Sequence, residues 1–167
     1  MTVYQTNNSR LNSDKLGLIF ILAFATLAYL YKSKFDLLVT FTLIFIEAAI
    51  AFALIYWYRT SAFVVNFNDT NIEQVFTYSK SICYFSYNDL KELRYIEGFR
   101  GPTINTIKIQ KDGSIHTLKV NVVERGEKYV LFIKWLKTKK PDFETYIYPK
   151  GSELHMRLRQ ELLKTEY

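Results

Sequence analysis

The chain has 167 residues, 49% of them hydrophobic and 17% aromatic, with a formal charge of +6. That length holds one domain plus a short extra segment. Cys83 is the only cysteine, which excludes an intramolecular disulfide and fits a reducing compartment.

Mean hydropathy is near zero, but this average hides a division. The first third carries long apolar runs, and the remainder is polar, basic and strand-like. Residues 1–15 are rich in Asn, Ser and Thr with little to bury, and are expected to form a flexible tail. No small-residue cleavage site follows the first apolar run, so a cleaved signal peptide is not expected.

Leu16–Tyr31 is uncharged and apolar, bracketed by Lys15 and Lys32. Its sixteen residues fall just short of the usual spanning range, and Tyr29 and Tyr31 suit the headgroup level. A five-residue link leads to Leu37–Trp57, twenty-one residues with one charge, Glu47. As a helix this run covers roughly 30 Å at ~1.5 Å per residue, the thickness of a bilayer's hydrocarbon core. It is apolar all round rather than along one stripe, which no surface helix of a soluble protein needs. The expectation over 16–58 is therefore a transmembrane helical hairpin, residues 16–31 and 37–57, with membrane lipids around it. Basic flanks at Arg10, Lys15 and Arg59 place both termini in the cytoplasm, making a multi-pass protein of the cytoplasmic (inner) membrane.

A charge at mid-bilayer costs ~3 kcal/mol on insertion scales, so Glu47 needs a reason. Three are open: a protonated carboxyl bonded to a backbone carbonyl, a polar contact with another membrane chain or a second copy of this one, and a proton relay. Ala49 and Ala53 form a small-xxx-small pair beside it that would let a second helix approach, so the three residues together make a candidate intramembrane contact.

From Ala62 the apolar pattern turns alternating. Residues 63–67, 72–78 and 81–87 read as strands rich in aromatic and β-branched residues, and 89–97, open to helix or strand, is read as a strand because it shows no clear helical face and its neighbours are strands. Residues 98–102 (GFRGP) read as a loop. Asn105, Ile107 and Ile109 alternate with polar residues, as do Leu118, Val120 and Val122, and Asp112-Gly113 between them supplies a tight hairpin turn. Over 127–138 Tyr129, Phe132, Ile133 and Leu136 recur at helical spacing, widened by Val130, Leu131 and Trp135. The stretch 142–167 reads as a tail with a short apolar piece at 146–148 and an amphipathic helix capped by Ser152.

The helical hairpin, the segment FSYNDLKELRYIEGF, the hairpin TINTIKIQKDGSIHTLKV and the helix EKYVLFIKWLKTKKP resemble the bacterial pleckstrin-homology-like membrane proteins over about residues 16–141. The resemblance implies an α+β membrane protein, with a small antiparallel β-barrel or sandwich at 62–141 capped by a helix. It implies no inositol-phosphate site here, because the first hairpin turn, Asn68-Asp69-Thr70-Asn71, lacks paired basic residues.

No catalytic, cofactor or metal pattern is present. His116 and His155 stand on separate elements, and no phosphate loop, nucleophile elbow or His-Glu-x-x-His occurs. Gly98–Gly101 superficially matches an RNA-binding GXXG loop but lies between strands, so no nucleic acid is expected. The expected role is a non-catalytic membrane protein whose cytoplasmic head docks a partner protein, as an accessory subunit of a larger membrane complex or as a homo-oligomer. The alternatives are anionic-lipid sensing through Lys91, Arg94, Arg100 and Lys108, and a membrane immunity or stress role.

Overall fold

The computed structural model describes residues 1–33, 37–98 and 103–163. It is α+β, with four helices and two four-stranded sheets among the described residues. The first sheet has the order β1-β2-β3-β4, from β1 (Thr2–Asn7), β2 (Phe63–Asn68), β3 (Asn71–Phe76) and β4 (Ile82–Ser86). The second has the order β7-β6-β5-β8, from β5 (Leu90–Ile96), β6 (Ile104–Lys111), β7 (Ser114–Asn121) and β8 (Glu144–Tyr148). Neither sheet closes into a barrel. All pairings are antiparallel except β5 with β8, which is parallel and follows a helical crossover.

The expected loose N-terminal tail is corrected here. Thr2–Asn7 is a strand paired with β2, in register from Tyr4↔Phe67 to Asn7↔Val64. Five polar or β-branched residues have too little apolar surface to announce a strand, and the partner lies some sixty residues along the chain. The pairing creates an architecture the sequence did not suggest. The chain leaves β1, runs through α1 (Ser9–Ser33) and α2 (Leu37–Ser61), and returns to β2 beside where it left. The helical hairpin is thus an insertion between two paired strands.

The 3-10 turn at Tyr87–Asp89 joins the sheets. Ser86 caps it, accepting from Asn88 N at 3.2 Å, while Asp89 accepts from Ser86 N at 3.0 Å. The Asp-Gly turn forms as expected, with Asp112 at φ 50° and Gly113 at φ 77°.

Helix α3 (Glu127–Lys139) supplies the filling of the core, burying Tyr129, Val130, Phe132, Ile133 and Leu136. Phe132 meets Tyr4 of β1 at 4.9 Å and Phe67 of β2 at 5.1 Å between ring centroids, and Tyr129 meets Tyr95 of β5 at 4.8 Å. One helix therefore binds both sheets. Leu131, expected to widen its apolar face, is exposed instead.

The C-terminal stretch is corrected in part: its helix and Ser152 cap form as expected, but the apolar piece at 146–148 belongs to a strand rather than a tail. Residues 144–148 add β8 to the second sheet, with Ile147 in the core. Helix α4 (Glu153–Leu163) docks Leu158 into the core, and Ser152 accepts from His155 N at 3.3 Å.

Candidate functional site

Two regions have unusual chemistry: the helical hairpin with its attachment, and the outer face of β5.

Asn8 fastens the hairpin to the head. It is 6% exposed and joins the start of α1 to the end of α2. Its backbone N donates to Phe63 O at 3.2 Å, its Nδ2 donates to Ser61 O at 2.8 Å, and its Oδ1 accepts from Phe63 N at 2.9 Å. Asn7 holds the adjacent corner, its Oδ1 accepting from Ser9 N at 3.1 Å, Ser9 Oγ at 2.6 Å and Asn121 Nδ2 at 2.7 Å. Two asparagines thus satisfy backbone groups that a strand-to-helix junction would otherwise strand. Nothing in the sequence singled them out, because the partners that tie them to the head, Ser61, Phe63 and Asn121, lie more than fifty residues away.

Along α2 no residue is fully buried, and the half-buried ones are Thr40, Leu43, Glu47, Ala51, Leu54, Tyr58 and Ser61. That spacing of three and four is the seam of two packed helices, and α1 shows it at Ala23, Thr26 and Leu30. Both helices are twenty-five residues long, with Ser9 and Ser61 at the common base. Ala23 is as far from Ser9 as Glu47 is from Ser61, so the two stand at one height. Glu47 therefore lies on the half-buried side of α2, level with Ala23 of α1. Among the described residues no hydrogen bond or ion pair of Glu47 is seen. Ala49 and Ala53 are exposed and lie on the far side of α2. The three residues grouped by sequence as one contact are thus split between two helix faces, since 3.6-residue periodicity separates i from i+2 by more than half a turn.

The proposed basic surface is likewise divided. Glu92 is 7% exposed, and Arg94 and Lys108 both bind it. Arg94 Nη2 donates to Glu92 Oε2 at 3.1 Å and Lys108 Nζ to the same oxygen at 3.0 Å, while Arg94 Nε contacts Oε1. Burial pushes the Glu92 carboxyl up, but the hydrogen bonds and charges of Arg94 and Lys108 outweigh it and hold the group below its ordinary value. Arg94 also lies over the Tyr146 ring, 5.4 Å from its centroid. These two cations are therefore committed within the sheet rather than offered to a ligand. Lys91 is exposed, at the register shift between Leu90 and Glu92 that keeps both Leu90 and Leu93 in the core. Arg100 lies outside the described residues.

Deeper in the second sheet, Asn105 is fully buried. Its Nδ2 donates to Arg94 O at 3.2 Å and to Tyr129 Oη at 2.9 Å, and its Oδ1 accepts from Val123 N at 3.0 Å. Burial pushes the Tyr129 phenol far up, so it stays protonated. This is a structural network locking α3 to β6.

Among the described residues no group of three His, Cys, Asp or Glu side chains could hold a metal ion. His116 packs against Phe85, and His155 Nδ1 accepts from Gly151 N at 3.3 Å. No family model, curated protein or solved structure matches the chain.

Proposed function

We propose that the chain is an integral membrane protein. Its helical hairpin lodges in the bilayer and holds a pleckstrin-homology-like head at the cytoplasmic face, as a non-catalytic docking module or accessory subunit of a larger membrane complex. The observation that carries this reading is the bare surface of α2. Among the described residues it is the one helix long and apolar enough to cross a membrane, and the apolar window that qualifies it has no buried residue. Twelve of its large apolar side chains, from Leu37 to Trp57, are exposed. At about 1.5 kcal/mol each, leaving them in water forfeits roughly 15–20 kcal/mol, more than the ~5–15 kcal/mol that usually holds a domain together. Something apolar has to cover them, and an even coat on every side fits lipid better than a protein groove. Tyr56, Trp57, Tyr58 and Arg59 at the end of α2 suit the headgroup level.

The head's role as a docking module rests on its form: a rigid core with no catalytic cluster among the described residues, and exposed Ile82 and Tyr84 on the β4 edge. Carbonate washing of native membranes tests the anchoring; release of the chain would refute it. Crosslinking and mass spectrometry with the full chain as bait tests the docking. A stoichiometric membrane partner is the expected result, and a lone monomer resisting every crosslinker would refute it.

A further inference from the structure

The connections at one end of the head converge on the hairpin base. The turn after β3 is tied there, with Thr77 N donating to Ala62 O at 2.9 Å. So is the end of β7, where Thr6 Oγ1 donates to Asn121 O at 2.6 Å and α1 touches the strand. If the hairpin is in lipid, this end meets the headgroups. It carries Arg59 and Lys80 on the first sheet's side and Arg125 and Lys128 on the second's. All four are exposed, and none takes part in an ion pair among the described residues. Arg59 lies over the Tyr78 ring, 5.0 Å from its centroid, and Tyr78 meets Tyr58 at 6.4 Å, a pairing of aromatic and cation suited to an interface.

Between the start of β6 and the β7–α3 connection lies a cleft of about 510 Å³. Thr103, Asn121, Arg125 and Lys128 line it. A second cleft of about 450 Å³ shares Thr103 and Arg125 and reaches Gly126, where α3 begins without a side-chain cap. Asn121 Nδ2 is already given to Asn7, so the binding groups the cleft offers are the two exposed cations, which no ion pair occupies among the described residues and which suit a phosphate ester. The one acid lining the larger cleft, Glu124, is half-buried and its charge acts on Tyr4.

We infer that this membrane-proximal cleft binds the headgroup of an anionic phospholipid, with Arg125 and Lys128 taking its phosphate. The inference rests on the hairpin being in the bilayer. It also moves lipid recognition away from Arg94 and Lys108, which Glu92 occupies.

The test uses the full chain purified in mild detergent and titrated with phosphatidylglycerol or phosphatidylcholine, with bound lipid counted by native mass spectrometry. Phosphatidylglycerol should be retained in preference. The double variant R125Q/K128Q should lose about twenty-five-fold of that retention, at roughly fivefold per basic residue near an anionic surface. The control K139Q, at the far end of α3 where Lys139 lies over the Trp135 ring, should retain it in full. Equal retention by wild type and R125Q/K128Q would overturn the site, as would an equal loss in K139Q. Soluble glycerol phosphate forms a separate arm; full competition by it at equal concentration would assign the cleft to a free phosphate ester and overturn the lipid. Carbonate release of the chain from membranes would sink the anchoring itself, whereas firm anchoring with no lipid preference would sink the headgroup site alone.

Discussion

Replacing Asn8 with alanine removes the clamp at the hairpin base while leaving the apolar core untouched. Two of its three hydrogen bonds use the side chain, to Ser61 O and from Phe63 N. Both partners are backbone groups at a junction where Asn8 itself is 6% exposed and Ala62 is 4% exposed, so water reaches them poorly. A buried backbone group left without a partner costs about 1–3 kcal/mol, which gives about 2–6 kcal/mol for Asn8→Ala. For a chain of this size that lowers the melting temperature by on the order of 6–18 °C, at about 3 °C per kcal/mol. Gln5→Ala is the matched control. Gln5 also bonds across β1–β2, to Asn66 Oδ1 at 2.8 Å, but that pair is exposed and should cost under about 0.5 kcal/mol. Thermal denaturation of both variants in one detergent, with amide exchange on residues 2–7, reads the difference. If Asn8→Ala melts within 2 °C of Gln5→Ala, the junction is hydrated and the clamp argument is wrong.

Ala23→Leu should cost about 1–3 kcal/mol by overpacking the hairpin seam at the level of Glu47, while Ala53→Leu, on the far face of α2, should be nearly neutral in detergent; equal melting temperatures would disprove the seam. Asn105→Leu should lower stability by 3 kcal/mol or more in chemical denaturation, since it orphans Val123 N and Tyr129 Oη in the core, on the order of 1–3 kcal/mol each. Tyr129→Phe should cost only about 1 kcal/mol by the same measurement, because a single hydrogen bond is lost. The Glu92 carboxyl has a folded value held below its unfolded one, so its contribution is present above about pH 4.3 and is lost as pH falls through the folded value. Glu92→Gln should therefore flatten the stability curve below about pH 4.3 in acid titration followed by circular dichroism, and a slope identical to wild type would refute the ion cluster's role.

The local elements were largely legible. Continuous apolarity marked α2, alternation marked β2, β6 and β7, Asp112-Gly113 marked the β6–β7 hairpin turn, and Tyr129, Phe132, Ile133 and Leu136 marked the buried face of α3. Each signal is contained within about a dozen residues, and side-chain periodicity follows directly from backbone geometry. The groupings of site residues fared worse. Glu47 and Ala49 are neighbours in sequence but face opposite ways on the helix. Arg94 and Lys108 look like free cations in the sequence, yet both are bound to Glu92, Arg94 from the same strand and Lys108 from the paired strand β6.

The sequence by itself determined that a long apolar helix and a β-rich, basic head share one chain. Only the tertiary structure decided that Thr2–Asn7 belongs to that head, that the helical pair is inserted between two bonded strands, and which cations stay unpaired at its base. The reason is the range of the forces involved. Burial and turn chemistry act on residues close along the chain, whereas strand pairing and ion pairing select partners by distance in space, which no local pattern encodes.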